Sequence, residues 1–498
     1  MATDAPITPR ATDYSQWYLD VIREAQLADY SPVKGSLVLR PHGFGIWEEI
    51  KADLDSRFKA TGHVNAYFPL FIPLSFLSKE AEHVEGFAKE CAVVTHHRLR
   101  ETISESGKKG VEPDPAAKLE EPLIVRPTSE TIIWHMYGKW IQSHRDLPIL
   151  INQWANVVRW ELKTRPFLRT AEFLWQEGHT AHATEQEALD ETMTMLEVYR
   201  SFAHETLAMP VTTGKKSSSE RFAGAVDTFT IEAMMQNNWA LQAGTSHFLG
   251  QNFAKAFDVT FQTEKGDRKL VWATSWGVST RLVGAAIMSH SDDTGLVLPP
   301  KIAPIQVVVI PIYRKAHERD AVVEFANKIV SDLRDSNIRV TLDDRPKMKP
   351  GAKYYEWERK GVPLRLEVGP RDMAKGSAFA AKRTGGDKFS MMADSIAKDT
   401  TSVLADIQQS LFDSALKRQL ENTYSLDNYA EFTQSLAEKG GFYLVPWRDN
   451  AENEAAIKAE TKASIRCYPN ASQEGLEERV CFYSGEPATH MALFARAF

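Results

Sequence analysis

The chain has 498 residues, 43% hydrophobic and 25% charged, which is the profile of a soluble globular protein of about two to four domains. Its longest apolar run, around Ile305–Ile312, is too short to cross a bilayer, and three cysteines (Cys91, Cys467, Cys481) make no disulfide framework and fit a reducing cytoplasm. The net charge of −7 excludes a wholesale basic coat, yet residues 301–400 carry 20 Lys and Arg against 14 Asp and Glu. A basic middle module in an acidic chain suits a local contact with a phosphate backbone, and equally an ordinary solvated surface. The opening MATDAPITPR lacks the basic-then-apolar layout of a signal peptide.

The spacing predicts helices over Tyr14–Ala28 and Phe44–Ala60, the second with apolar residues at Trp47, Ile50, Leu54 and Phe58. Thr61-Gly62 ends it, and His63–Pro73 reads as a strand at an edge or interface because it contains Pro69. Residues 98–121 are polar, with Gly and Pro, and read as an exposed loop. Pro122–Pro127 is a strand leading into Thr128-Ser129-Glu130, where a carboxylate beside two hydroxyls can hold a cationic amine or cap a helix.

Val157–His179 (VVRWELKTRPFLRTAEFLWQEGH) reads as strand, basic loop, strand. Strand residues alternate between faces, so Arg159 and Glu161 share one face of the first strand. On the second, an unbroken strand places Arg169, Phe173, Trp175, Glu177 and His179 together. Aliphatics would line that face in an ordinary half-buried hairpin, because an unpaired buried charge is costly. A solvated hairpin is the ordinary reading of such strands; the aromatics interleaved on the same face weaken it and favour a polar, concave, anion-binding site.

Further along, Thr184–Glu187 fits a capping box opening a helix with its buried stripe at Leu189, Met193, Leu196, Tyr199 and Ala203. Lys215–Ser219 is a polar loop. Ala240–Gly250 sets Gln242, Thr245 and His247 around a tight Ala-Gly turn that admits close approach of a ligand. Trp272–Pro300 reads as a strand, a turn at Ser275-Trp276-Gly277, and a small-residue helix with Arg281 near its start. From Pro304 apolar strands alternate with helices, the pattern of a mostly parallel sheet covered on both faces. From about Ser402 a long amphipathic helix leads to a small α/β module.

These residues carry a family resemblance. Arg159–Glu161 followed by Phe167-Leu168-Arg169 resembles motif 2 of the class II aminoacyl-tRNA synthetases, and RTAEFLWQEGHTAH resembles the prolyl-tRNA synthetases among them. The helix–strand–proline unit ending at Pro73 is similar to motif 1, RPTSE to the loop that grips the amino group of proline, and the Trp272–Pro300 segment to motif 3. The class I signatures are poorly matched by PHGFG and KKSSS, and no Rossmann glycine pattern accompanies them.

The resemblance implies an α/β and α+β multidomain chain: a class II catalytic domain on an antiparallel sheet over 1–303, an α/β anticodon-binding domain over 304–405 and a small C-terminal domain over 406–498. It implies proline, ATP, Mg2+ and tRNA(Pro) as reaction partners, a homodimer formed through motif 1, a cytoplasmic location and no membrane contact. The short interval between motifs 2 and 3 leaves out the editing domain that many bacterial members insert there. Arg159 and Arg281 become catalytic, meeting the phosphates. Thr128, Glu130, Arg159, Trp175, Glu177, His179, His247, Ser275 and Gly277 become the proline pocket. Glu161, Leu168, Arg169, Gln242, Thr245 and Ser279 join the two arginines at ATP. Arg345, Lys353, Arg359, Lys382 and Arg383 become the tRNA contacts. A zinc site common among relatives falls here at Trp447, Glu452, Cys481 and Ser484, so no zinc is expected, with Phe442, Tyr443 and Trp447 filling the space. Two alternatives stay open from the residues: a synthetase for another amino acid, and a non-catalytic RNA-binding relative, which would not need both motif arginines.

Overall fold

The computed structural model describes residues 6–79, 91–104, 106–161 and 163–498, so half of the N-terminal decapeptide read for a targeting layout lies outside the described residues. Its main body is an eleven-stranded sheet running from Thr423–Ser425 at one edge to Val64–Asn65 at the other. The middle of that sheet is antiparallel, in the order Val211–Lys215, Asp227–Met234, Ala240–Gly250, Trp272–Ser279, Glu172–His182 and Ile149–Val158. No helix among the described residues is long and apolar enough to cross a membrane.

One sheet face is covered by helices. Tyr14–Glu24 starts where the Asp13 side chain accepts from the Ser15 and Gln16 amides, and Pro41–Ala60 carries Ile46, Trp47, Ile50, Leu54 and Phe58 inward. Glu185–Glu205 opens with the expected Thr184–Glu187 capping box, but its buried stripe runs through Ala188, Thr192, Met195, Leu196, Tyr199, Phe202 and Ala203. Met193, expected inside, is 41% exposed: one position in the sequence is a 100° step around a helix, and the stripe begins at Ala188. These helices and Arg281–His290 bury Trp17, Phe58, Tyr199 and Trp276 in one core against the sheet.

Other expectations are corrected. His63–Pro73 is two short strands, Val64–Asn65 and Phe71–Pro73, in different sheets, and Pro69 lies between them with no N–H to continue a ladder. The stretch expected to be a loop over 98–121 holds an exposed hairpin of Leu99–Ile103 with Lys109–Pro113, turning at Gly107 with φ +77°. The strands of the central hairpin stop at Val158 and resume at Glu172, so Arg159, Glu161 and Leu168-Arg169 belong to the connecting loop and not to a sheet face. Ala240–Gly250 is one strand with a bulge at Ala243-Gly244 where a turn was expected, and Ser275–Gly277 lies inside a strand.

The middle module is a five-stranded sheet in the order Val340–Leu342, Val307–Pro311, Leu364–Val368, Ser377–Lys382, Phe389–Met392. The first three strands run parallel as expected, and the last two add antiparallel pairs. Val307 and Val309 face the helices Ala316–Asp335 and Ile396–Glu421, while Val308 and Ile310 face Tyr354 and Trp357 of Pro350–Arg359, so both faces are covered.

The C-terminal module continues the main sheet. Its strand Ala463–Pro469 pairs with Val211–Lys215, Gly214 opposite Pro469 and Lys215 opposite Tyr468. A Cβ on Gly214 would come within 2.5 Å of the Tyr468 carbonyl, so glycine permits the seam. Phe432, Tyr443, Trp447, Phe482 and Phe494 form the module's aromatic core. Phe442, expected beside them, points to the opposite face of its strand and packs with Met234, Cys467 and Leu493.

Candidate active site

The pairing register builds the site. Opposite His179 lies Ser275, and opposite Ser275 lies His247, which faces Thr228 in turn. One row along, Glu177 faces Gly277 and Gly277 faces Thr245; a further row pairs Trp175 with Ser279. Side chains two apart on a strand share a face, so these rows form one polar surface over four strands. The reverse side of the same strand backs onto the core: Gln176 accepts from the Tyr199 hydroxyl at 2.6 Å, and Gly178 leaves room for the Trp276 ring, which a Cβ would meet at 2.1 Å.

The surface floors a cavity of about 320 Å³. At one end Glu177 is buried and accepts from the Ser129 hydroxyl at 2.5 Å and the Gln153 amide at 2.8 Å, with His179 Nε2 at 3.0 Å from its other oxygen. Burial raises the Glu177 carboxyl, but these hydrogen bonds outweigh it and hold it below the usual range. For His179 burial lowers the pKa, and the bond to Glu177 with the charges of Glu130 and Glu177 turns the balance upward. Glu130 opens the helix Glu130–Trp140, an acidic residue in its first turn, and accepts from the Thr128 hydroxyl; no side chain caps that helix start, because the Ser129 hydroxyl donates to Glu177 instead. His247 is half-buried, and desolvation with the charge of nearby His179 pushes it down to about 3, hence neutral, with its Nδ1 2.9 Å from the Thr228 hydroxyl and its ring 4.7 Å from Phe222. Among the described residues, His179 Nδ1 and Trp175 Nε1 are buried with no hydrogen-bond partner within the protein.

At the other end the Arg159 guanidinium lies 5.5 Å from the Phe173 ring centre and 5.4 Å from that of Trp175, and its Nε donates to the Pro127 carbonyl at 3.0 Å. Arg281 donates to the carbonyls of Leu168 (3.3 Å) and Gln242 (3.4 Å). Burial, and then the charge of Arg169, lowers it to about 10, still protonated at neutral pH. A desolvated pair of arginines of this kind favours an anion between them.

Of the expected residues, Thr128, Glu130, Arg159, Trp175, Glu177, His179, Gln242, Thr245, His247, Ser275, Gly277, Ser279 and Arg281 line this one cavity. Glu161, Leu168 and Arg169 do not: Arg169 is exposed and lies 3.7 Å from Glu161 on the loop, and Leu168 offers Arg281 its carbonyl while its side chain packs beside Gly284. That loop lies beside Arg281, Trp239 and Phe498 in a smaller adjoining cavity. The wall also contains Lys216, Glu220, Phe222 and Thr228, which periodicity does not signal because they sit on or beside an irregular loop.

The RNA-contact candidates separate. Lys353 is buried with its Nζ 2.8 Å from the Asp343 carbonyl, and Arg383 is buried against Asp292. Arg359 pairs with Glu24 and stacks on Tyr355. In the structure all three of these charges are engaged by protein partners. Arg345 is 45% exposed while pairing with Asp343 and Glu356, and Lys382 is half-buried beside Phe389. Among the described residues no group of three or more His, Cys, Asp or Glu is placed to hold a metal ion.

Residues 112–290 match the tRNA synthetase class II core domain (G, H, P, S and T), residues 306–399 the anticodon binding domain, and residues 429–498 the prolyl-tRNA synthetase C-terminal domain. A proline–tRNA ligase of Porphyromonas gingivalis is 58% identical over 492 residues, which is 99% of each chain. The chain belongs to the prolyl-tRNA synthetase family. A second proline–tRNA ligase, from Parabacteroides distasonis, is 56% identical with the same coverage. The structure is also similar to that of a Cryptosporidium parvum prolyl-tRNA synthetase complexed with L-proline and AMP, at TM-score 0.89 and 38% identity, covering 99% of this chain and 96% of that one. A complex of prolyl-tRNA synthetase from the same organism with halofuginone and AMPPNP gives 0.91 and 39%, with 99% of both chains covered.

Proposed function

We propose that this member of the family joins L-proline to ATP, giving prolyl-adenylate and pyrophosphate, and then transfers the prolyl group to tRNA(Pro). The observation that carries the reading is a single cavity with a carboxylate–histidine end and a two-arginine end joined by aromatic rings. Glu130 and the Glu177–His179 pair receive the secondary ammonium of proline, and Trp175 and Phe222 flank its ring. The amino-acid carboxylate is ionised at neutral pH and is itself the nucleophile, so its attack on the α-phosphorus requires no general base. One carboxylate oxygen bonds to phosphorus while the bond to the bridging oxygen breaks, and pyrophosphate leaves. What the protein must supply is alignment and charge neutralisation. Arg159 and Arg281 do so at the phosphates, with Gln242, Thr245 and Ser279 beside the nucleotide and Glu161 and Arg169 on the adjoining loop. Magnesium comes with ATP, held by phosphate oxygens and water.

In the same reading residues 1–303, 304–405 and 406–498 are the three domains, and Arg345 and Lys382 remain candidates for RNA contact. A cytoplasmic homodimer belongs to it too: Val64, Tyr67 and Phe71 near the sheet edge are 62%, 73% and 45% exposed, an apolar patch that a second copy would cover. The test is ATP–pyrophosphate exchange with each amino acid in turn. Dependence on proline is expected, and exchange driven best by another amino acid would overturn the assignment.

A further inference from the structure

The loop Lys216–Phe222 supplies Lys216, Glu220 and Phe222 to the cavity wall and has neither helix nor strand to fix it. It is held from the C-terminal module. The Ser217 hydroxyl donates to one carboxylate oxygen of Glu454 at 3.1 Å, and the Ser219 hydroxyl donates to the other. Lys458, one turn further along the helix Ala451–Thr461, pairs with Glu220 at 2.9 Å. At the start of the loop, Lys216 and Arg466 grip the two oxygens of buried Glu232 at 2.9 and 3.0 Å, and Arg466 also comes from the module.

Glu454 is 3% exposed, and among the described residues its carboxylate bonds to the two serines and to no cation. A carboxylate removed from water without a cation is costly, and an apolar side chain would pack there more favourably. What the carboxylate adds is direction: two acceptor atoms fix two successive points of a loop whose next residues face the ligand. The Phe222 ring, packed on His247, lies three residues beyond the second point.

We propose that Glu454 is a positioning residue for the amino-acid pocket, acting through Ser217 and Ser219 to set Phe222 and Glu220 against the bound amino acid. This rests on the reading of the cavity as the proline site. The C-terminal module is thereby part of the machinery of amino-acid binding, at a distance from the reacting atoms.

The test uses the full chain and ATP–pyrophosphate exchange, with the KM for proline, the KM for ATP and kcat measured separately. Glu454→Ala is expected to raise the proline KM about tenfold, the scale of a lost hydrogen bond to a charged group, with the ATP KM and kcat changed less than about twofold. Glu454→Gln keeps one acceptor oxygen and should fall between. Adding Ser217→Ala and Ser219→Ala to Glu454→Ala should change little further, because all act through one contact. A merely structural role would lower kcat and the melting temperature while leaving the proline KM in place, and that result overturns the proposal. Should Glu454→Ala fail to fold, the exposed-side variants Ser219→Ala and Lys458→Ala decide: unchanged proline KM in both refutes it. Wild-type exchange that does not depend on proline would refute the pocket reading itself. Proline-dependent exchange with unmoved variants would refute the clasp alone.

Discussion

Arg383 grips Asp292 with both terminal guanidinium nitrogens at 2.7 Å, across the boundary between the middle module and the end of the catalytic sheet's last helix. The arginine is 3% exposed in its side chain, and its Nε donates to the Glu358 carbonyl at 2.8 Å. Arg383, expected from the family resemblance to meet tRNA, ties the middle module to the segment after the helix Arg281–His290.

The tie has a pH signature. Burial raises the Asp292 carboxyl, but hydrogen bonds from Arg383 and Thr294 with the arginine's charge outweigh it and hold the group at about 2. A carboxylate with a folded pKa below the ordinary value of about 3.9 contributes stability that is present above that value and lost as pH falls through the folded pKa. The stability gap between wild type and Asp292→Asn should thus be constant near neutrality and shrink below about pH 4. Urea midpoints of both proteins across pH 7 to 3 check it, and a gap independent of pH would refute it.

Arg159 sits over two aromatic rings in the cavity wall, with one guanidinium nitrogen engaged by the Pro127 carbonyl. Arg159→Ala should reduce proline activation about 100- to 1000-fold, the scale for removing one preorganised donor to developing charge. Its melting temperature should stay close to that of wild type. Activation within a few-fold of wild type would remove Arg159 from the phosphate site.

Much of this was legible in the sequence where periodicity and chemistry agree. Phe173, Trp175, Glu177 and His179 alternate along a real strand, so the polar face read from spacing is the floor of the cavity. Arg159 and Arg169 were placed on that face wrongly, because residues that begin a functional loop can have the same β-branched and aromatic neighbours as the strands they leave. Phe222 and Lys216 were missed because a loop residue has no period, and only the fold decides where it points. Composition marks Lys353 as basic but says nothing about Asp343, ten residues earlier, which holds it inside. The seam between Lys215 and Tyr468 joins strands more than 250 positions apart in sequence, beyond any local signal.

That seam makes the catalytic region dependent on the C-terminal module. A fragment ending near Pro304 would leave Val211–Lys215 as an open sheet edge and Glu232 buried with Lys216 but without Arg466. It would also uncover Met234 and Ala240, now packed under Phe442 and Leu493. The fragment should be aggregated or unfolded and inactive in exchange. Size-exclusion chromatography and circular dichroism check this, and a monodisperse fragment that activates proline would show that the seam is dispensable.

The module itself should need no zinc. The positions that would carry a metal in the resembled pattern are Trp447, Glu452, Cys481 and Ser484; Trp447 and Cys481 are buried, while Glu452 and Ser484 are exposed. A tetrahedral site needs about four nitrogen or sulfur ligands at roughly 2.0–2.3 Å, and of these residues only Cys481 offers one. Rings fill the interior of the module: Trp447 lies 5.5 Å from Phe494 and 6.2 Å from Phe482, and Phe432 packs edge-on against Phe482 at 5.4 Å. Aromatic burial of this kind stabilises through area and edge-to-face contact, so Trp447→Ala should cost about 3–5 kcal/mol, the range for deleting a large buried ring. Elemental analysis of untagged protein should find zinc far below one atom per chain, and a chelator should leave the denaturation midpoint where it was. Stoichiometric zinc together with loss of stability on chelation would mean that the rings do not replace the metal.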